Sequence, residues 1–104
     1  MSCSDRYKVK WSTLFKKDYK LAMKRGYDIN LLDDVIRLIA KGDQQQKLIK
    51  EYGDHELSGD WKGHRKLHIL PDWLLIYYQE NDLLVLTLFR TGTHSDLFNK
   101  YNSG

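Results

Sequence analysis

The sequence has almost no cysteine or proline, and it has no long apolar run. Cys3 is the only cysteine among 104 residues, so no disulfide can form within the chain. No signal-peptide pattern is present, and no apolar run approaches the roughly 20 residues that span a membrane. The glycines show none of the spacings of dinucleotide- or phosphate-binding loops. These absences argue against a disulfide scaffold, a membrane protein and a phosphate-loop enzyme, and we expect a cytoplasmic protein.

No segment of the sequence has the composition of an interdomain linker. The only proline is Pro71, no repeat occurs, and the only low-complexity tract is the three glutamines at 44–46. A chain of this length is large enough for one hydrophobic core and too small for two. We therefore expect residues 1–104 to form a single domain.

Charge is distributed unevenly along the chain. Residues 1–50 carry 12 lysines and arginines against 6 acidic residues, whereas residues 51–104 carry 5 against 8. The excess is greatest at 6–25, where eight cations accompany only Asp18. Such a basic stripe suits a polyanion or an acidic protein partner, although a solvated helix face gives the same pattern.

The first half of the sequence predicts a strand followed by two helices. Residues 7–11 alternate apolar and lysine side chains, as in a strand. Ser12 is a candidate N-cap for a helix at 13–25, which ends before Gly26. Its apolar stripe is expected to be Leu14, Phe15, Tyr19, Ala22 and Met23. A second helix starts at Asp28 or Asn30 and ends at Lys41-Gly42, and the short connection favours an antiparallel helix pair.

The second half predicts mainly strands. Periodicity is lost over 43–63, where part of the segment either extends the second helix or forms a short helix at 47–52. Strands are expected at 65–70, 73–78 and 83–89, with turns at Pro71-Asp72 and at 80–82. The order β-α-α-β-β-β, closed by a short helix, predicts an α+β fold with a mainly antiparallel sheet and two helices packed on one face.

The segment 90–98 combines a helix start signal with residues suited to RNA. Thr93 and Asp96 resemble a capping box, so a terminal helix should begin at His94. His94 and Phe98 are four residues apart and would share a face, with Arg90 entering from the preceding strand. Alternatively, His94 and Phe98 only close the end of a small core.

A longer pattern resembles a known family. It comprises Asp54, His55, Leu57, Gly59, Trp61, Lys62, Gly63, Arg65, His68, the run 71–77 and the run 90–98. In this half the chain resembles the YafQ family of bacterial toxins, within the RelE/ParE superfamily. The first half agrees only in its strand-helix-helix layout and in a Lys-Leu-Ala-x-Lys-Arg-like segment at 20–25. The resemblance implies a RelE-like fold, a ribosome-dependent mRNA endonuclease and a cognate antitoxin.

The resemblance also implies a set of catalytic residues. The positions that match the family's set are His55, His68, Asp72, Trp73, His94 and Phe98. Cleaving RNA without a metal requires a base for the 2′-hydroxyl and an acid for the leaving 5′-oxygen, and histidine can serve either role near neutral pH. We expect His94 to be the acid and either His68 or Asp72 to be the base.

The remaining predicted site residues bind or orient the substrate. His55 is expected to orient a partner or to contact phosphate, and Arg65 and Arg90 to stabilise charge on phosphate oxygens. Trp73 and Phe98 would hold bases by stacking. Each residue also has a structural interpretation, since Trp73 begins a strand and the arginines could lie at strand ends on the surface.

We expect no metal and no cofactor. In strand conformation His64 and His68 would be about 13 Å apart at roughly 3.3 Å per residue, which is too far for neighbouring ligands. His64 also lies where the family does not require histidine.

Two classes of function remain. The first is an endonuclease toxin whose mRNA substrate is positioned by the ribosome. The second is a non-enzymatic binder on the same scaffold, such as a gyrase-inhibiting ParE-like toxin or a regulatory protein. In either case the basic first half predicts an acidic antitoxin, and operator DNA would be bound mainly through that partner.

Overall fold

The computed structural model describes residues 5–98, which form a five-stranded sheet with helices on both faces. Cys3 and the segment 99–104 lie outside the described residues. The strands are β1 (Lys8–Trp11), β2 (His55–Glu56), β3 (Arg65–Leu70), β4 (Trp73–Glu80) and β5 (Val85–Gly92). The helices are α1 (Thr13–Lys24), α2 (Ile29–Lys41), α3 (Gln45–Tyr52) and α4 (His94–Leu97).

The sheet has the order β1-β5-β4-β3-β2. β1 runs parallel to β5, and the other neighbouring strands are antiparallel. The predicted α+β class with a mainly antiparallel sheet is therefore confirmed.

The main core lies between the sheet and α1, α2 and α3, on the side that we call the helix face. Helix residues meet alternate residues of the central strands, which include Leu67, Leu75, Tyr77, Leu86 and Leu88. Since successive strand side chains point to opposite faces, the intervening residues lie on the other side of the sheet. There Leu97 of α4 packs with Leu74 and Ile76 of β4, and we call this side the α4 face.

The stripe predicted for α1 is wrong at two positions. Phe15 and Ala22 are buried, whereas Leu14 and Met23 have exposed fractions of 42% and 53%. A single helix laid on a sheet buries a narrow strip of its surface, and here only that strip meets the core.

The ends of the helices are determined by capping hydrogen bonds and by glycine. The Ser12 hydroxyl accepts a hydrogen bond from the Phe15 N–H at 3.0 Å, and Asp28 caps α2 in the same way. Gly42 ends α2 with a φ of 80°, a left-handed conformation that favours glycine, so α3 is a separate helix and the short-helix alternative is confirmed. No helix within residues 5–98 has both the length and the apolar composition needed to cross a membrane.

The last strand is displaced from its predicted position at 83–89. Leu84 has a φ of 54° and belongs to the turn, so pairing starts at Val85. At its other end β5 continues to Gly92, which pairs with Leu74 on β4. This extension carries the chain to the first residue of α4.

Candidate active site

The four predicted catalytic side chains come together at one end of the α4 face. His55 lies on β2, His68 on β3, Asp72 in the turn between β3 and β4, and His94 at the first residue of α4. Residues far apart in the sequence therefore converge, because β3, β4 and β5 are neighbours and α4 directly follows β5.

Asp72 holds His94 through two hydrogen bonds. Its Oδ1 atom lies 2.7 Å from Nδ1 of the His94 ring and accepts the His94 backbone N–H at 3.2 Å. These hydrogen bonds lower the pKa of the Asp72 carboxyl. An ionised carboxylate only accepts hydrogen bonds, so Nδ1 carries a proton and Nε2 is left for the substrate. Half of the His94 side-chain surface is accessible.

α4 has only four residues and is secured by contacts around Asp96. The Thr93 hydroxyl accepts the Asp96 N–H, and the Asp96 carboxylate accepts the Thr93 N–H, which confirms the predicted capping box. The same carboxylate pairs with Arg25 of α1 at 2.8 Å, and the guanidinium lowers the pKa of Asp96. A Cβ atom at Gly92 would lie only 3.0 Å from Asp96, so glycine permits this close fold-back.

The His68 ring lies beside the His94 ring, with a distance of 5.8 Å between the ring centroids. Burial lowers the pKa of His68, and the positive charges of Lys66, His94 and His55 lower it further. A backbone hydrogen bond at Tyr52 acts in the opposite direction. The net effect favours the neutral imidazole, which is the form that can accept a proton.

His55 is placed by the end of α3. Gly53 adopts a φ of 66° there, and its carbonyl lies 2.8 Å from Nδ1 of the exposed His55 ring. Since a carbonyl oxygen only accepts, Nδ1 donates and Nε2 faces outward. The adjacent Asp54 is buried and accepts the Tyr77 hydroxyl at 2.6 Å, which fixes this segment to the sheet.

Phe98 closes the side of the site beyond α4. Its ring lies 5.5 Å from the ring of Trp61, and the Lys66 ammonium lies 5.2 Å from the Phe98 ring centroid. Phe98 is partly buried against the cluster on the α4 face, so one part of the ring remains available to a base.

The structure corrects the expectation for Trp73. Its side chain is 2% exposed in the core of the helix face, where its ring packs against Tyr27 at 4.8 Å. Trp73 starts β4 with the same orientation as Leu75, toward the helices. A residue buried in this way cannot stack on an RNA base, so Trp73 is a core residue.

Arg65 is likewise misplaced for the predicted phosphate contact. Its side chain points to the helix face, as does that of Leu67, whereas His68 lies on the α4 face. The guanidinium pairs with the buried Asp54 at 3.1 Å. Its observed role is therefore to neutralise a buried carboxylate.

Arg90 is committed to α1. Its Nε and Nη2 atoms donate to the two carboxylate oxygens of Asp18 at 2.9 and 3.0 Å. Asp18 also accepts the Thr91 backbone N–H, beyond the end of the paired segment of β1. This bidentate pair fixes the end of β5, and it engages two of the three guanidinium nitrogens of the residue that was expected to bind phosphate.

Sequence reasoning missed Lys66 and Trp61. Lys66 lies two residues before His68 on the same strand, so simple alternation puts it on the same face. That signal was available in the sequence, but Arg65 was the cation predicted to contact phosphate from this strand. Trp61 is the last residue of a short 3-10 turn at Gly59–Trp61, and no periodic pattern indicates its packing on Phe98.

A metal ion would need several ligating side chains close together. Within 5–98, no three side chains of histidine, cysteine, aspartate or glutamate are grouped closely enough to hold a metal ion. His68, His94 and Asp72 lie in an arrangement that is suited to proton transfer.

Comparison with known proteins gives consistent matches over most of the chain. Residues 7–99 match the family described as the bacterial toxin of type II toxin-antitoxin systems, YafQ. The chain is 41% identical over 90 residues to the mRNA interferase toxin YafQ of Escherichia coli K12, covering 86% of this chain and 94% of that protein.

Solved structures agree with the sequence match. The toxin chain in the crystal structure of the E. coli DinJ-YafQ toxin-antitoxin complex superposes with a TM-score of 0.79 at 39% identity, covering 90% of this chain and 99% of that chain. A metal-bound toxin from Helicobacter pylori superposes with a TM-score of 0.78 at 38% identity, covering 88% and 99%. On this evidence the chain belongs to the YafQ family of bacterial type II toxins.

Proposed function

We propose that this protein is an endoribonuclease toxin that cleaves translated mRNA by acid-base chemistry without a metal, and that the ribosome positions its substrate. The observation that carries the proposal is that two adjacent histidine rings have different surroundings. His94 is held by an ionised carboxylate, and His68 lies beside it in a setting that favours the neutral ring.

His68 acts as the general base. It takes the proton of the ribose 2′-hydroxyl, whose oxygen then attacks the adjacent phosphorus. Asp72 is poorly suited to this role, because its hydrogen bonds with His94 lower its pKa and so weaken it as a base. This favours His68 for the step for which the sequence left His68 and Asp72 as alternatives.

His94 acts as the general acid. Its Nε2 proton goes to the 5′-oxygen as the phosphorus-oxygen bond breaks, giving a 2′,3′-cyclic phosphate and a free 5′-hydroxyl. Asp72 stabilises the imidazolium before transfer and keeps the ring oriented through Nδ1. His55 presents its outer nitrogen toward the same phosphate, and Phe98 supports a base by stacking.

The partner of this toxin is an acidic antitoxin. α1 exposes several lysines beside exposed apolar side chains, a surface that an acidic amphipathic segment would cover. The exposed set comprises Leu14, Lys16, Lys17, Lys20, Leu21, Met23 and Lys24. Operator DNA is bound through the antitoxin complex, and the toxin acts in the cytoplasm, where its mRNA substrate is translated.

The test compares induced expression of the wild-type chain, His94→Ala and Ser95→Ala. Ser95 is the exposed neighbour of His94 on α4, so its variant controls for disturbance of the helix. Primer extension is performed on a translated message and on the same message without its start codon. We expect cuts with the wild type and Ser95→Ala, only on the translated message, and none with His94→Ala.

Two outcomes would contradict the proposal. Growth arrest without any cuts would indicate a toxin that acts by binding. Cleavage by His94→Ala at the wild-type level would remove His94 from the chemistry.

A further inference from the structure

We propose that Lys66 binds an RNA phosphate at the active site, the role that the sequence pattern assigned to Arg65 and Arg90. The inference rests on the proposed nuclease function and names the group of this chain that holds the substrate's charge. It follows from where each cation lies and from what each already contacts.

The sheet register places Lys66 among the catalytic histidines. Lys66 pairs with His55 on β2 and with Ile76 on β4, and His68 is two residues further along β3. His55, Lys66 and His68 therefore lie side by side on the α4 face. Ile76 lies beside Lys66 on the same face and is fully buried, whereas Lys66 is partly exposed, as expected of a lysine that buries its stem and keeps its ammonium at the surface.

The contacts of Lys66 leave its charge available. Within residues 5–98, no carboxylate lies within ion-pair distance of its ammonium, which faces the ring of Phe98 at 5.2 Å. An ammonium over an aromatic face keeps its hydrogen-bond donors free for other acceptors. A phosphate bound by Lys66 would thus lie between Phe98, which holds a base, and His68, which takes the proton.

The two arginines are already paired with carboxylates, and giving up either pair for phosphate would cost an interaction elsewhere. Removing Arg65 from Asp54 would leave a buried carboxylate without its cation, on the opposite face of the sheet from His68. Removing Arg90 from Asp18 would break two parallel hydrogen bonds that secure the end of β5. Lys66 requires no such exchange.

The position of Lys66 has a second effect on the same site. The charged groups that face His68 are Lys66 on its own strand, His94 from α4 and His55 from β2, with the Tyr52 backbone of α3 on the remaining side. Burial and these positive charges together lower the pKa of His68. Loss of the Lys66 charge should therefore raise the pKa of His68.

The binding experiment uses a tetradeoxynucleotide, which cannot be cleaved because it lacks the attacking 2′-hydroxyl. Its affinity for the purified toxin is measured by fluorescence anisotropy over a series of salt concentrations. Lys66→Met, Lys66→Gln and Lys66→Arg are compared with wild type, and Lys47→Met, an exposed lysine on α3, is the matched control. The His68 ring is titrated by NMR in the same proteins.

We expect Lys66→Met and Lys66→Gln to bind about tenfold more weakly. Their plot of log affinity against log salt should be shallower by about 0.7, the loss of one phosphate contact on a single strand. Lys66→Arg and Lys47→Met should bind as wild type. The titration midpoint of His68 should rise in the two neutral variants and remain unchanged in Lys66→Arg and Lys47→Met.

Equal affinity and equal salt dependence for wild type and the neutral variants would overturn the inference, as would a Lys66→Arg variant that binds no better than Lys66→Met. Failure of wild type to bind the tetranucleotide would also overturn it. None of these results bears on whether mRNA is cut, which the expression experiment decides separately. Since two neutral variants are used, misfolding of one does not remove the comparison.

Discussion

The Asp72 carboxylate and the Gly53 carbonyl hold two histidines of this site in different ways. Asp72 brings a negative charge to Nδ1 of His94, whereas Gly53 brings only a neutral carbonyl dipole to Nδ1 of His55. A carboxylate stabilises the imidazolium more strongly than a carbonyl does. In the proposed mechanism, this difference at Nδ1 accompanies the different roles of the two rings, His94 as acid and His55 as a residue that binds or orients.

His68 leads to a prediction about pH. Its pKa in the folded protein lies below the reference value of about 6.5, mainly because of burial. As pH falls below 6.5, the unfolded chain takes up a proton at this position before the folded chain does, so this histidine makes folding less favourable. The neutral imidazole of His68, which is the form that the proposed mechanism needs as a base, therefore persists below pH 6.5.

NMR titration of the ring protons should give a midpoint for His68 below 6.5. The wild type should also lose thermal stability on acidification from pH 7 more steeply than His68→Gln, which lacks this group. A midpoint above 6.5, or parallel stability curves for the two proteins, would show that His68 is not held in its neutral form.

At the scale of elements, α4 depends on its caps, since four residues cannot form a stable helix alone. Replacing Thr93 by alanine removes the hydroxyl that accepts the Asp96 N–H, while serine retains it. The loss of such an N-cap costs about 0.5–2 kcal/mol. Thr93→Ala should lower cleavage because His94 is less well held, with only a small change in the melting temperature of the whole protein.

Hydrogen exchange at 94–98 and single-turnover cleavage on programmed ribosomes measure these effects. Thr93→Ser should behave as wild type in both. If Thr93→Ala cleaves normally while exchange at 94–98 increases, the order of α4 does not limit the chemistry.

How far the sequence predicts each element depends on how local its determinants are. Ser12, Asp28 and Thr93 cap helices through hydrogen bonds to residues two or three positions away. Ser12 and Thr93 were predicted, and Asp28 was one of two alternatives for the start of the second helix. The start of β5 was not, because the left-handed turn at Leu84 uses a residue type that seldom adopts that conformation.

The candidate site shows the same limit. His55, His68, Asp72 and His94 were found through a long residue pattern, and the structure brings them together. Arg65 and Arg90 form ion pairs with Asp54 and Asp18, which the tertiary fold places beside them, so the sequence could not indicate these contacts. Residue type alone favoured the two arginines, whereas the tertiary fold pairs both of them with carboxylates.

At the scale of the whole molecule, Asp54 joins the end of α3 to β3 and β4. It accepts hydrogen bonds from Arg65 and from the Tyr77 hydroxyl, and burial together with Asp54 raises the pKa of Tyr77 so that the hydroxyl remains a donor. Tyr77→Phe removes one partner of a buried carboxylate, which costs about 1–3 kcal/mol. The melting temperature should fall by at least about 4 °C.

Tyr78→Phe is the matched control, because Tyr78 is adjacent and 37% exposed on the opposite face. Differential scanning calorimetry should show no comparable change for it. Cleavage per folded molecule should be the same for both variants below their melting temperatures. A loss of cleavage in Tyr77→Phe without a loss of stability would place the Asp54 network in the chemistry.

The parallel pairing of β1 with β5 joins strands that are formed at opposite stages of synthesis. Lys8 pairs with Val85, and the strand that receives β1 leads directly into His94. In the proposed mechanism, a nascent chain that ends before β5 lacks both the partner of β1 and the acid His94, so the sheet and the site are completed together. We therefore expect a ribosome making this toxin to carry an inactive chain until β5 and α4 emerge, and interrupted synthesis to release inactive fragments.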